Sequence, residues 1–170
     1  QTFEARGEAQ AAHDLREAAF DAATADTGRL NDEPFTWCAD ADTRLGPVLE
    51  MIINGEYHWI AMADIARLEI NPPKDLRDLV WSVCILTLSN GGMLPVMMPT
   101  RYPGASESGD AQQMLARKTD FRPLSGEHVA GMGQRMLVTD TTDVPFLEVR
   151  SLEYDNALAS SLAAAATEDG

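Results

Sequence analysis

Between residues 33 and 60 the chain reads EPFTWCADADTRLGPVLEMIINGEYHWI. Within it Cys38, Asp40, Asp42, Glu50 and His58 are all groups that could ligate a metal ion or move a proton. Two aspartates one residue apart share a face on a strand, and on a turn both can approach one cation. With Glu50 and the imidazole of His58 they would make a metal-assisted hydrolase, in which an ion-bound water attacks the substrate. The same residues have a plainer use. One aspartate can cap a turn by accepting main-chain N–H groups while the other pairs with Arg44. Calcium loops need further oxygens at fixed spacing and a closing glutamate, which this stretch lacks. The packed turn is the favoured reading and the hydrolase is the alternative.

The remaining chemistry-bearing residues form no motif. His13, His58 and His128 show neither HExxH nor facial-triad spacing. His58 alternates with Tyr57 and Trp59 on a strand, so with the aromatics in the core it faces solvent. There is no GxSxG nucleophile elbow, and GASESG carries no lysine to cradle a phosphate. GMGQRM, residues 131–136, leads into a strand pattern rather than the helix of a dinucleotide site. Cys38 and Cys84 lack CxxC or Cys/His spacing, which disfavours zinc and predicts two buried, reduced thiols. Trp37, Trp59 and Trp81 are expected to pack in the core. Arg44, Arg77, Arg101 and Arg135 lie beside apolar or turn residues, a placement suited to clamping loops through carboxylates or carbonyls. No cofactor, metal or small-molecule substrate is expected.

The elements that must position these residues follow from periodicity. Ala12, Leu15, Ala19 and Ala22 recur at helical spacing in residues 3–25, with Gly28 ending the helix and DTGRLND as connector. An alanine face buries little area, so this helix needs a neighbour. Residues 48–52 and 56–62 flank Asn54-Gly55, a hairpin signal. Residues 66–70 are a strand stopped by Pro72-Pro73, and 74–80 a short helix entered through those prolines. Residues 82–89 and 93–99 form a second hairpin around Asn90-Gly91-Gly92, with Pro95 marking an edge or a bulge. Residues 107–120 read as a surface helix, and 134–140 with 145–155 as a third hairpin around Thr141-Thr142-Asp143. The fold class is α+β: antiparallel hairpins forming a curled sheet or small barrel with short helices.

At 170 residues, with 45% hydrophobic and 24% charged, the chain suits one domain with a useful core. Its formal charge of −14, from 27 acidic and 13 basic residues, repels phosphate backbones and anionic lipid. Nucleic acid and membrane partners are therefore not expected, and a partner that is apolar or basic is. No apolar run spans a membrane and no signal-peptide pattern is present, which predicts a cytoplasmic protein. The first residue, Gln1, falls inside a helical pattern, which reads as a fragment lacking its upstream part.

Several long segments in fixed order carry a resemblance. EPFTWCADADTRLGPVLEMIINGEYHWI, PPKDLRDLVW, LSNGG, PTRYPGA, GQRMLVTD and LEVRSLEYD together resemble the ImpE/TagJ (SciE-type) family of type VI secretion accessory proteins, from about residue 4 to 155. The resemblance implies a protein with an N-terminal helical, tetratricopeptide-like region and a C-terminal α+β domain. On that reading residues 1–30 are the remnant of the helical region and its connector, 31–155 the domain, and 156–170 an Ala/Ser-rich disordered tail. It further implies a non-enzymatic protein that binds the small sheath subunit (TssB-like) and is linked to the sheath-disassembling ClpV-like ATPase. The signature positions are Trp37, Asp40, Asp42, Arg44, Leu45, Gly46, Pro47, Asp78, Leu79, Trp81, Arg101, Tyr102 and Pro103. Cys38 and Cys84 depart from the family pattern without changing its chemistry.

Overall fold

In this computed structural model, which describes residues 9–23, 26–124 and 126–155, the chain enters through helix α1 (Ala9–Ala22). Strands β1 (Gly28–Leu30) and β2 (Glu33–Phe35) then turn about Asn31-Asp32, both at positive φ as a tight hairpin turn demands. β3 (Cys38–Asp40) leads into the aspartate-rich turn, followed by the hairpin of β4 (Val48–Ile53) and β5 (Glu56–Ala61) on Asn54-Gly55. β6 (Ile65–Ile70), β7 (Trp81–Leu88) and β8 (Met93–Pro99) come next. A one-turn helix α2 (Ala111–Met114) precedes β9 (Thr119–Pro123) and β10 (Val129–Gly133). β11 (Met136–Thr139), β12 (Asp143–Pro145) and β13 (Ser151–Tyr154) complete the described chain.

The strands pair antiparallel into an eight-stranded sheet, β2-β1-β13-β6-β7-β8-β4-β5, a three-stranded sheet, β12-β11-β3, and the β9–β10 pair. The large sheet is open, ending in β2 and β5, so the small-barrel alternative is corrected to an open sheet. Closure needs its terminal strands to pair, and they stand at opposite ends of the order. One face carries the core: Leu49, Met51, Leu68, Cys84, Leu86, Val96, Met98 and Leu152 are buried together with Phe146 from the turn before β13. Along β7, Ser82, Cys84 and Leu86 point into it while Trp81 and Val83 point out, the period-2 signature of a half-buried strand.

Several expectations are corrected. The 107–120 helix is only a 3-10 turn (Ala105–Glu107) and α2, capped by Asp110 accepting from the Gln112 N–H and stopped where Ala116 turns to positive φ. Residues 74–80 form turns rather than a helix, because the Asp75 and Asp78 carboxylates take the N–H groups of Lys74, Asp75 and Arg77. The third hairpin is short: β12 ends at Pro145, and β13 leaves to pair with β1 and β6. Gly28 opens β1 instead of ending the helix. Pro95 is inside the strand order, yet β8 and β4 are in register only at Ile52–Met97, so its own position is a local edge. The expected tail at 156–170 and the parts of the expected helix at 3–8 and 24–25 lie outside the described residues.

Candidate functional site

The Asp-Ala-Asp-Thr-Arg-Leu-Gly-Pro turn is held from within. Asp40 Oδ1 accepts the Asp42 N–H at 2.8 Å, and Asp42 Oδ1 accepts the Arg44 N–H at 2.9 Å. The Arg44 guanidinium grips both oxygens of Asp42, and the Gly131 N–H reaches Asp42 Oδ2 at 3.0 Å. Gly46, at φ 55°, lets the chain turn where a Cβ would stand 2.7 Å from the Phe20 ring of α1. Pro47 then directs it into β4.

From this turn a buried polar network runs inward. Arg135 donates to Asp40 Oδ2 at 3.2 Å and to Glu50 Oε2, and its guanidinium lies 5.4 Å from the centroid of the Tyr102 ring. Tyr102 donates its hydroxyl to Asp40 Oδ1 at 2.7 Å and accepts the Met136 N–H at 3.1 Å. Its ring occupies the space over Gly131, where a Cβ would stand 2.2 Å from a ring carbon. Tyr57 donates to Glu50 Oε1, so every oxygen of Asp40, Asp42 and Glu50 accepts at least one hydrogen bond. Burial pushes Asp40 up to about 6, against the pull of Arg135, the Asp42 N–H and Tyr102. Burial likewise lowers Arg135 from its ordinary value. Chemically this is a cross-brace joining β3, β4 and the β10–β11 link, with carboxylates spent on internal donors.

The hydrolase quartet does not assemble. His58 stands opposite Met51 and therefore on the other face of the hairpin from Glu50, which stands opposite Trp59. Its nearest carboxylate is the exposed Glu56, 3.9 Å away. Burial raises both thiols, Cys38 and Cys84, to about 12, which leaves them protonated and poor nucleophiles at neutral pH. Cys84 is buried as expected, whereas Cys38 is only partly so.

Other signature residues make local contacts. Asp78 accepts the Lys74 N–H, the Leu79 carbonyl accepts the Thr100 hydroxyl at 2.6 Å, and Arg101 donates to the Met114 carbonyl. Leu45 is buried beneath the turn, and Pro103 is exposed beside Tyr102. Arg77 pairs with Asp75 on the surface.

The tryptophans correct the core expectation: Trp37, Trp59 and Trp81 are 42%, 46% and 39% exposed. Two of them belong to a single surface. Val83 pairs with Met97, Met97 with Ile52, and Ile52 with Tyr57, so a row of apolar side chains crosses β7, β8, β4 and β5 on the face away from the core. Val83, Met97 and Tyr57 are 43%, 43% and 56% exposed. Trp81 and Trp59 stand two residues along on the same face. Composition cannot reveal this row, because its order depends on strand pairing. The visible signal was the out-facing apolar member at each alternate position of WSVCI and MLPVMMP. A separate apolar groove of about 600 Å³ lies between α1 and the sheet, lined by Phe20, Trp37, Cys38, Val48, Met62 and Tyr154.

The ImpE protein family profile matches residues 32–153. The chain belongs to the ImpE family. Among its relatives is the type VI secretion system accessory component TagJ of Pseudomonas aeruginosa, 47% identical over 154 residues that make up 91% of this chain and 53% of that protein. The chain thus spans about half the length of this curated relative. The crystal structure of VPA1032 from Vibrio parahaemolyticus shares the fold with TM-score 0.81 at 24% identity, over 93% of this chain and 59% of that one. The buried cross-brace, the turn and the exposed row all lie within the ImpE match.

Proposed function

We propose that this ImpE-family chain is a non-enzymatic docking domain of the type VI secretion machinery. It holds a helical segment of the small sheath subunit on its exposed sheet face, in the cytoplasm. The observation that carries the reading is the row Val83–Met97–Ile52–Tyr57 with Trp81 and Trp59 at its sides. Contiguous exposed apolar surface marks interaction sites, and aromatic and methionine side chains are enriched at the centres of interfaces. Four strands spaced about 4.8 Å apart give a track of roughly 15 Å, which three turns of an amphipathic helix cover. The charge of −14 favours a partner whose apolar stripe is flanked by basic residues.

The secretion machinery rests on the relative's name, an accessory component of type VI secretion, and the sheath as partner on the family resemblance alone. A link to the sheath-disassembling ATPase would lie in the upstream region, helical and tetratricopeptide-like, with the α+β domain at 31–155 as the sheath-binding unit. In this scheme the signature residues from Trp37 to Pro103 shape the scaffold, and Trp81 also faces the partner.

Biolayer interferometry with immobilised small sheath subunit tests it, using this chain and its full-length parent, each with and without Val83→Lys/Met97→Lys. Saturable binding by both that falls at least tenfold in the double variant is the expected result. Failure of both to bind at low salt overturns the proposal. Binding by the chain but not by the parent would mean that the upstream half covers this face, and would overturn the assigned occupant.

A further inference from the structure

Outside the carboxylate network, a second cluster gathers metal-ligating groups that the sequence keeps far apart. His13 and Glu17 are i, i+4 neighbours on α1, and His128 comes from the β9–β10 loop. One donor atom from each of the three lies within 4.8 Å of the others. His128 is 6% exposed. Its Nε2 approaches Glu17 Oε1 to 3.0 Å, yet among the described residues it makes no aligned hydrogen bond. His13 Nδ1 is also buried without a hydrogen-bond partner among the described residues. A buried nitrogen without an aligned partner costs stability in a folded protein, and His13 and His128 each carry one within the same three-residue cluster.

We propose that His13, Glu17 and His128 form a binding site for a zinc-class divalent cation that staples α1 to the sheet domain. Imidazoles and a carboxylate suit zinc, cobalt or nickel better than magnesium or calcium, which favour oxygen ligands throughout. An ion about 2 Å from a nitrogen of each ring would hold the ring centroids roughly 5 Å apart. The centroids of His13 and His128 stand 5.2 Å apart with their planes at 64°. Phe20 stacks on His128 at 6.2 Å and 17°. Glu17 is 57% exposed, so the cation has a path in from solvent and water can complete its coordination. The site is independent of the apolar row and would hold α1, and whatever precedes it, at a set angle to the sheet.

Isothermal titration of the metal-free chain with zinc chloride tests this, alongside His13→Gln, His128→Gln and Glu17→Gln. One equivalent should bind and raise Tm. Each histidine substitution should weaken binding by more than the 10–100-fold typical of an outer-shell change. Absence of binding by the unsubstituted chain at millimolar zinc overturns the site, and so does undiminished binding by the His13→Gln/His128→Gln double variant. Should that variant not fold, ring-nitrogen NMR of the unsubstituted chain decides the matter. The His13 and His128 nitrogens should shift on zinc addition while those of His58 stay, and the converse pattern overturns the proposal.

Discussion

Arg135 is the residue on which the buried network turns. It faces two carboxylates, Asp40 and Glu50, both buried. Arg135→Ala should therefore destabilise the fold by about 3–5 kcal/mol, since it leaves buried charge unpaired, and urea unfolding would read the loss. Asp40 supplies a pH signature. Its folded value is raised from 3.8 to about 6 by burial. Between those values the folded state holds a proton that the unfolded state has released. The stabilisation is thus complete below the unfolded value and is lost as pH rises through 6, a change on the order of 3 kcal/mol. The difference in unfolding free energy between the unsubstituted chain and Asp40→Asn should fall over that window; a flat difference from pH 4 to 7 would contradict it. Tyr102→Phe should cost about 1–3 kcal/mol by leaving Asp40 and the Met136 N–H each short of a partner. The Asp-x-Asp-x-Arg turn was legible because its bonds are two residues long. Arg135 is legible in the sequence as an arginine suited to clamping carboxylates, and Tyr102 as a signature position of the resemblance, but their meeting with Asp40 is not, since it spans 95 and 62 residues of chain.

At the scale of elements, the hairpins with Asn-Gly turns formed where their turn residues placed them, because the turn chemistry is local. The surface helix at 107–120 failed for a competing local reason. Asp110 and Ser108 bond nearby main-chain N–H groups, and β9 takes over at Thr119. Alternation assigns Tyr57 and Trp59 to one face and His58 to the other without saying which is inside, and the structure turns the two aromatics outward. Helix α1 offers a test of how an element is docked. Gly46→Ala would put a methyl 2.7 Å from the Phe20 ring at a positive φ. The substitution should raise amide exchange along α1 while the β6–β7 core keeps its protection, and uniform exchange changes would contradict this.

At the scale of the molecule, the open eight-stranded sheet buries one face and leaves half of the other apolar. On that outer face the β6 and β13 positions carry the charged ladder Arg67, Glu69 and Glu153, while β7, β8, β4 and β5 carry the apolar row. The charged half pairs within itself, Arg67 with Glu69 and Glu153; the apolar half is the surface that gains from a partner. Since Val83 and Met97 are exposed, the Val83→Lys/Met97→Lys variant should unfold within about 1 kcal/mol of the unsubstituted chain. Fold class was legible at this scale from spacing alone, but the division of one sheet face into charged and apolar halves follows from strand order, which no periodicity encodes. The most direct test uses methyl-labelled methionine NMR on titration with the small sheath subunit, because methionines report both faces. Met93 and Met97, exposed on β8, should shift, while Met51 and Met98, buried in the core, should not. Shifts at Met62 beside the α1 groove with Met93 and Met97 unmoved, or no shift at any methyl, would contradict the account.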